Sequence, residues 1–369
     1  MYTSRILLIK NMKILHNISL IKTSSAEPLA SQSGVIYSSG SSVYLTDKSG
    51  AVFDLAANKG SMVITEYVTP GIYTWNKNPS INFDIKYLQV VCVGAGAGGG
   101  GGQSGATNSS RSGGGGGGGG SIATAWFESS SLTTSSYTIQ VGTGGNGGAG
   151  GGSGGADGNT GNDGNDSFFR SGSSTILVQG KGGKNGSTYS VGGDFSPAFT
   201  PNLFYQLVGS KGGNASTSPN FNNTPLYSFN SSIGTGGGGG GGGINTSNTA
   251  QAGATGSAVF KNGQLIFTGS AGTANGGSNI NGQNGVNNFI NGLVLAGFSS
   301  SLYSSSYGVG TPGHGGGASS LNTINGGNGG SGSIGCGGGG GGAGTSGGAA
   351  SAGNGGKGGD GYVLLIAYY

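Results

Sequence analysis

The chain has 369 residues, of which 91 are glycine, with a formal net charge of +4 and only 7% charged side chains. So little charge argues against a charge-driven disordered tail, and 15 tyrosines, 14 phenylalanines and 2 tryptophans are too many for a flexible linker. No basic cluster interleaved with aromatics follows the N-terminal lysines, so nucleic acid is not expected as a partner.

Residues 1–30 hold apolar stretches at Ile6–Ile9 and Ile14–Ile21, interrupted by Lys10, Asn11, Lys13, His16 and Asn17. Neither approaches the ~20 apolar residues of a membrane span or the clean core of a secretory signal. Membrane insertion is therefore not expected. Short strands follow at Gly34-Val-Ile-Tyr37, Ser42-Val-Tyr-Leu45 and Ala51-Val-Phe-Asp-Leu55, with a turn at Asp47-Lys-Ser-Gly50. This spacing predicts a hairpin, and a unit of two or three strands is marginal alone in water. Residues 1–60 are thus expected to need further copies or a docking partner.

Strands are next predicted at Met62–Val68, Ile72–Trp75 and Tyr87–Val93, the last running straight into Gly94. Further runs rich in β-branched and aromatic residues lie at Ser121–Phe127, Ser136–Val141, Ser174–Val178, Ala258–Phe260, Gln264–Phe267 and Gly361–Tyr369. No ten-residue helical pattern interrupts them. Cys92, inside an apolar strand, reads as a buried free thiol.

Uninterrupted glycine fills Gly113–Gly120, Gly236–Gly243 and Gly337–Gly342. Elsewhere non-glycine residues recur every third position, as in Asn325-Gly-Gly-Asn328-Gly-Gly-Ser331, Asn354-Gly-Gly-Lys357-Gly-Gly-Asp360 and Asn146-Gly-Gly-Ala149. Polyproline II geometry has three residues per turn, so this period puts every side chain on one edge and leaves two edges bare. Such a segment suits the outside of a bundle, and an all-glycine segment the inside. Gly116, Gly240 and Gly339 are the expected bundle core. The fold class is all-β: a short N-terminal β attachment unit, then a β-strand-framed polyglycine II bundle over 61–369 with an insertion at about 190–310.

Taken in order, Tyr73-Thr-Trp75, Leu88-Gln-Val-Val-Cys-Val-Gly-Ala-Gly-Ala-Gly-Gly99, Ser136-Tyr-Thr-Ile-Gln-Val-Gly-Thr-Gly-Gly-Asn-Gly-Gly148, Asp166-Ser-Phe-Phe169 and Gly358-Gly-Asp-Gly-Tyr-Val-Leu-Leu-Ile366 resemble the glycine-rich domain of bacteriophage tail and head fibre proteins. The resemblance covers about residues 61–369; the insertion departs from the family's compact pattern. The stretch 34–56 also looks like the small unit through which many fibre proteins dock onto virions, which makes Tyr37, Tyr44, Leu45, Gly50 and Leu55 the expected attachment residues. The resemblance implies location on the tail or capsid surface of a virion, a homotrimer, contact with other tail, baseplate or capsid proteins, and recognition of a host surface glycan or protein. The alternative is a non-viral secreted or surface glycine-rich protein of the ice-binding kind.

Catalytic chemistry is not expected. Gly94-Ala-Gly-Ala-Gly-Gly99 matches a dinucleotide fingerprint only superficially, since nothing helical follows it. His314 lacks nearby Cys or Glu for a metal set. Asp157, Asp163 and Asp166 lie in a stretch with glycine at every third residue and read as a solvated edge before a calcium site. No cofactor is implied. Aromatic interruptions stand out instead, at Phe195–Tyr205, Pro225–Phe229 and Phe298–Tyr307. Read as loops at one bundle end, they offer Phe199, Tyr205, Tyr227, Phe229, Tyr303 and Tyr307 to a receptor, because Tyr/Ser/Asn loops make adaptable binding surfaces. The plainer reading makes them strand or core residues.

Overall fold

A computed structural model describes residues 63–77, 85–172, 175–187, 209–215, 235–256, 281, 312–346 and 348–368, together with the backbone of the strands at 35–39, 42–46, 52–54, 205–207, 259–261 and 264–267 and of residue 62. Among these residues the protein is all-β, without an α-helix. The chain divides after Met62. On the N-terminal side, β1 (Val35–Ser39), β2 (Ser42–Thr46) and β3 (Val52–Asp54) form an antiparallel sheet in the order β1-β2-β3. Tyr37 faces Tyr44 across the first pair, and Leu45 faces Phe53 across the second.

The larger unit, Val63–Ala367, begins with β4 (Met62–Tyr67), β5 (Gly71–Asn76) and β6 (Tyr87–Val93). After the short β7 (Ser104–Gly105) come β8 (Ile122–Glu128), β9 (Ser136–Val141), β10 (Ser167–Ser171), β11 (Thr175–Gly180) and β12 (Tyr205–Leu207). The hairpin β13 (Val259–Lys261) and β14 (Gln264–Phe267), the short β15 (Gly344–Thr345) and β16 (Tyr362–Tyr368) complete the set. One sheet has the order β11-β10-β9-β5 and the other β12-β8-β6-β16-β4. They pack through β10 and β11 against β6 and β8. In β9 the alternation of Tyr137, Ile139 and Val141 with polar residues turns one face inward, as a half-buried strand requires. Tyr137 stacks on Phe169 at 4.9 Å between centroids, with Trp75 and Phe127 against the same ring. Both faces of β6 and β16 are buried, which is why their sequences are almost continuously apolar.

On one side of this sandwich β6, β9, β11 and β12 lead into glycine-rich segments, β8, β10 and β16 receive them, and only the short turn from β4 to β5 interrupts the pattern. We number these segments helices I (94–104), II (112–121), III (142–151), IV (156–165), V (181–187), VI (209–215), VII (235–243), VIII (251–256), IX (312–318), X (326–333), XI (336–343) and XII (351–360). Their hydrogen bonds have a period of three. In helix I the N–H groups of Gly94, Ala97, Gly100 and Gln103 donate to Ser121, Gly118, Gly115 and Ser112 of helix II. Ala95, Gly98, Gly101 and Ser104 donate to helix IV, and Gly96, Gly99 and Gly102 to helix XII. Helices III, V and XI in turn donate to carbonyls of helix I. Helix I thus has six neighbours and helix XI another six (I, II, VII, IX, X and XII). Positive φ is confined, among the described glycines, to Gly71, Gly155, Gly172 and Gly335. The helices are therefore left-handed polyglycine II, and their buried amides pair between helices because this conformation has no internal bonds.

Glycine is required here by closeness rather than by φ. A Cβ on Gly116 would meet the Gly238 carbonyl, on Gly240 that of Asn214, and on Gly339 that of His314, each at under 3.0 Å, which real Cβ atoms do not show. At Gly152 and Gly154, in a connection, a Cβ would meet nothing within 4 Å.

Candidate functional site

Helices I, III, V, VI, VII, IX and XI run away from the sandwich, and II, IV, VIII, X and XII return. Among the described residues, five connections consequently gather at the end of the bundle remote from the sheets: 105–111, 152–155, 244–250, 319–325 and 344–350. They are rich in Asn, Ser and Thr, and Ala106, Thr107, Asn108, Thr246, Ser247, Leu321, Asn322 and Thr323 stand exposed. Asn108 and Asn248 take positive φ of 66° and 58°, a conformation asparagine tolerates in tight turns.

One buried side chain ties this end together. Arg111 is 1% exposed. Its Nη1 donates to Gly105 O at 2.9 Å and to Thr345 Oγ1 at 3.0 Å, and its Nη2 donates to Asn248 Oδ1 at 2.6 Å. Thr345 Oγ1 donates onward to Ser319 O, and Asn248 Nδ2 to Ser320 O. Three of the five connections therefore meet at one guanidinium, whose planar fork of donors suits such bracing, and a fourth is tied in through Thr345 and Asn248. Nε has no partner, and among the described residues no carboxylate pairs with the charge. Burial accordingly lowers the Arg111 pKa. Ile244, Ala318 and Ala343 form an apolar floor beneath.

The bundle sides are closed by a different device. Helices X, XII and III lie side by side, and the third-position residues Asn325, Asn328, Asn354, Lys357, Asn146 and Ala149 are exposed. Asn325 Oδ1 accepts from Ser351 N, Asn328 Oδ1 from Asn354 N, Asn354 Oδ1 from Gly150 N and Asp360 Oδ1 from Gly144 N, all at 2.8 Å. In these four pairs an Asn or Asp side-chain oxygen thus serves the outward N–H of the next helix. Between IV and V, Asp166 accepts from Gly182 N and pairs with Lys181 at 2.9 Å, while Asp163 accepts from Asn185 N and pairs with Lys184 at 2.8 Å. Asp157 accepts from Gln103. The aspartates read from sequence as a solvated edge are engaged in this way, and the described residues contain no group of three metal-ligating side chains.

Of the expected receptor residues, Tyr205 opens β12 opposite Thr124, a strand position. Phe199, Tyr227, Phe229, Tyr303 and Tyr307 lie outside the described residues, as do Gly50 and Leu55 of the expected attachment set. The anchors of the segment 257–311, Gly256 and Pro312, sit at the sandwich end, where Gly313 N donates to Gly337 O and Gly256 N to His314 Nδ1. His314 is buried, and burial lowers its pKa. Cys92 and Cys336 are buried free thiols. Burial pushes Cys336 up to about 12 and raises Cys92 as well. Arg111 drew no notice in the sequence because its role depends on contacts more than a hundred residues away. The chain matches no family model and no curated protein.

Proposed function

We propose that this chain is a structural fibre or appendage protein of a virion, non-enzymatic, attached through residues 1–60 and contacting the host surface with the glycine-rich unit. The observation that carries the reading is the bundle itself: among the described residues, twelve interlocked glycine helices grown from a β-sandwich, ending in a braced cluster of exposed Asn/Ser/Thr connections. Rigid scaffolds bearing polar loops are a recurrent way of presenting a recognition surface. The ordered strand-and-glycine motifs that resemble phage fibres point the same way. The experiment is an adsorption assay with purified protein and with particles carrying variants of the five connections. Loss of cell binding with particle incorporation intact supports the reading; unchanged adsorption for every variant, including the aromatic ones, removes the recognition role.

A second reading, a non-viral ice-binding-like surface protein, is favoured by the side-by-side arrangement of helices X, XII and III. The charged pair Lys357–Asp360 on that face weighs against it, and a thermal-hysteresis measurement separates the two.

A further inference from the structure

Asn-Gly is the dipeptide most prone to deamidation, because the glycine nitrogen reaches the asparagine Cγ unhindered. The described residues contain five such pairs, and in four the glycine N–H is held inside the bundle. Gly186 N donates to Gly98 O at 3.1 Å, Gly326 N to Ser351 O at 2.9 Å, Gly329 N to Asn354 O at 2.8 Å and Gly355 N to Gly148 O at 2.8 Å. The exception is Asn146-Gly147. Gly147 N has no hydrogen-bond partner, and Asn146 is exposed. The reason is visible in the ladder between XII and III. Gly144 N is served by Asp360 and Gly150 N by Asn354, but the intervening third-position residue is Lys357, whose ammonium has only donors.

We propose that Asn146 is a built-in deamidation site of this protein, selected by the missing acceptor at position 357. Gly147 N, losing its proton to base, bonds to Asn146 Cγ; the Cγ–Nδ2 bond breaks and ammonia leaves. Water then opens the succinimide to aspartate or isoaspartate. Isoaspartate routes the main chain through Cγ and adds one backbone carbon. That shifts Gly148 and Gly151 out of their bonds to Gly99 O and Gly102 O, so helix III loosens from this point towards the remote end.

The test is peptide mapping by mass spectrometry of the full-length folded protein during incubation at mildly alkaline pH. Asn146 is expected to convert at least about tenfold faster than Asn185, Asn325, Asn328 and Asn354, a ratio equivalent to ~1.4 kcal/mol of local opening at the held sites. In denaturant the five rates should converge; an Asn146 rate that keeps its lead there overturns the proposal, since sequence alone would then set it. Lys357→Asn supplies an acceptor and should slow Asn146 towards the held sites, whereas Lys357→Met removes the charge without supplying one and should leave Asn146 fast. Equal slowing by both variants, or none with Lys357→Asn, also overturns it.

Discussion

At the scale of single residues, the bundle divides glycines into those whose Cα hydrogens touch a neighbouring carbonyl and those that face open space. Gly116→Ala and Gly240→Ala place a methyl against backbone that belongs to a hydrogen-bonded lattice and cannot move aside. The expected loss is about 1–3 kcal/mol or more, as for overpacked cores. Gly152→Ala, with nothing within 4 Å, should change the melting temperature little, and so should Asn328→Ala beyond one exposed hydrogen bond. Equal melting temperatures for Gly116→Ala and Gly152→Ala would remove the close-packing argument. His314 gives a pH prediction. Its pKa is lowered by burial, so the unfolded chain binds a proton that the folded chain refuses. Stability should therefore be full above the ordinary histidine value of about 6.5 and fall as pH drops below it. Melting curves of the wild type should show this slope, and His314→Asn should flatten it.

At the scale of elements, the number of non-glycine residues per turn reports how many edges of a helix face water. Helices II, VII and XI have none and are enclosed by five or six described neighbours; III, X and XII have one; helix IV, with Asn and Asp or Thr between glycines, has two. This much was legible in the sequence, because a three-residue turn converts spacing directly into direction. Many of the strands were legible too, with β6, β9 and β14 at their expected bounds, although β10 and the two-residue β7 and β15 were not expected. Three further things were not legible, or only in part. Helix I is fully enclosed although Ala95 and Ala97 break its glycine run, since enclosure is set by partners distant in sequence. β12 was legible only at its end, where Leu207 leads into the glycine segment, because its first two residues close an aromatic stretch that also reads as a loop. The asparagine ladder looked like mere solvation, because the N–H it serves belongs to another helix. That ladder is testable: Asn354→Ala leaves Gly150 N to water alone. It should cost about 0.5–1.5 kcal/mol and speed hydrogen exchange at Gly150 while Gly148 N, bonded to Gly99 O, stays protected.

At the scale of the whole molecule, a lattice of backbone hydrogen bonds offsets the entropic cost of ordering so much glycine, roughly 0.5–1 kcal/mol more per residue than alanine. Such a lattice cannot nucleate alone, because no helix holds its own bonds; the apolar strands that feed it supply the anchor. The glycine unit should then melt in one cooperative step, and a core change in the sandwich such as Phe169→Ala, expected to cost about 3–5 kcal/mol, should lower the melting of the glycine helices together with the sheets. Hydrogen exchange read separately on β9 and on helix XI checks this, and independent protection of the two would show separable units. On the fibre reading proposed above, attachment and recognition should be separable. Removing residues 1–60 should leave the glycine unit folded but absent from particles. Replacing Leu321, Asn322 and Thr323 with alanine, or Tyr205, Tyr227, Tyr303 and Tyr307 in a second variant, should leave incorporation intact. The variant that loses adsorption to host cells locates the contact. Arg111→Met is the informative third, since it keeps every exposed side chain while releasing the brace among the connections. A weaker, salt-insensitive adsorption with unchanged sheet protection is expected if the remote end is the recognition surface, and normal adsorption with measurably loosened connections would place recognition elsewhere on the molecule.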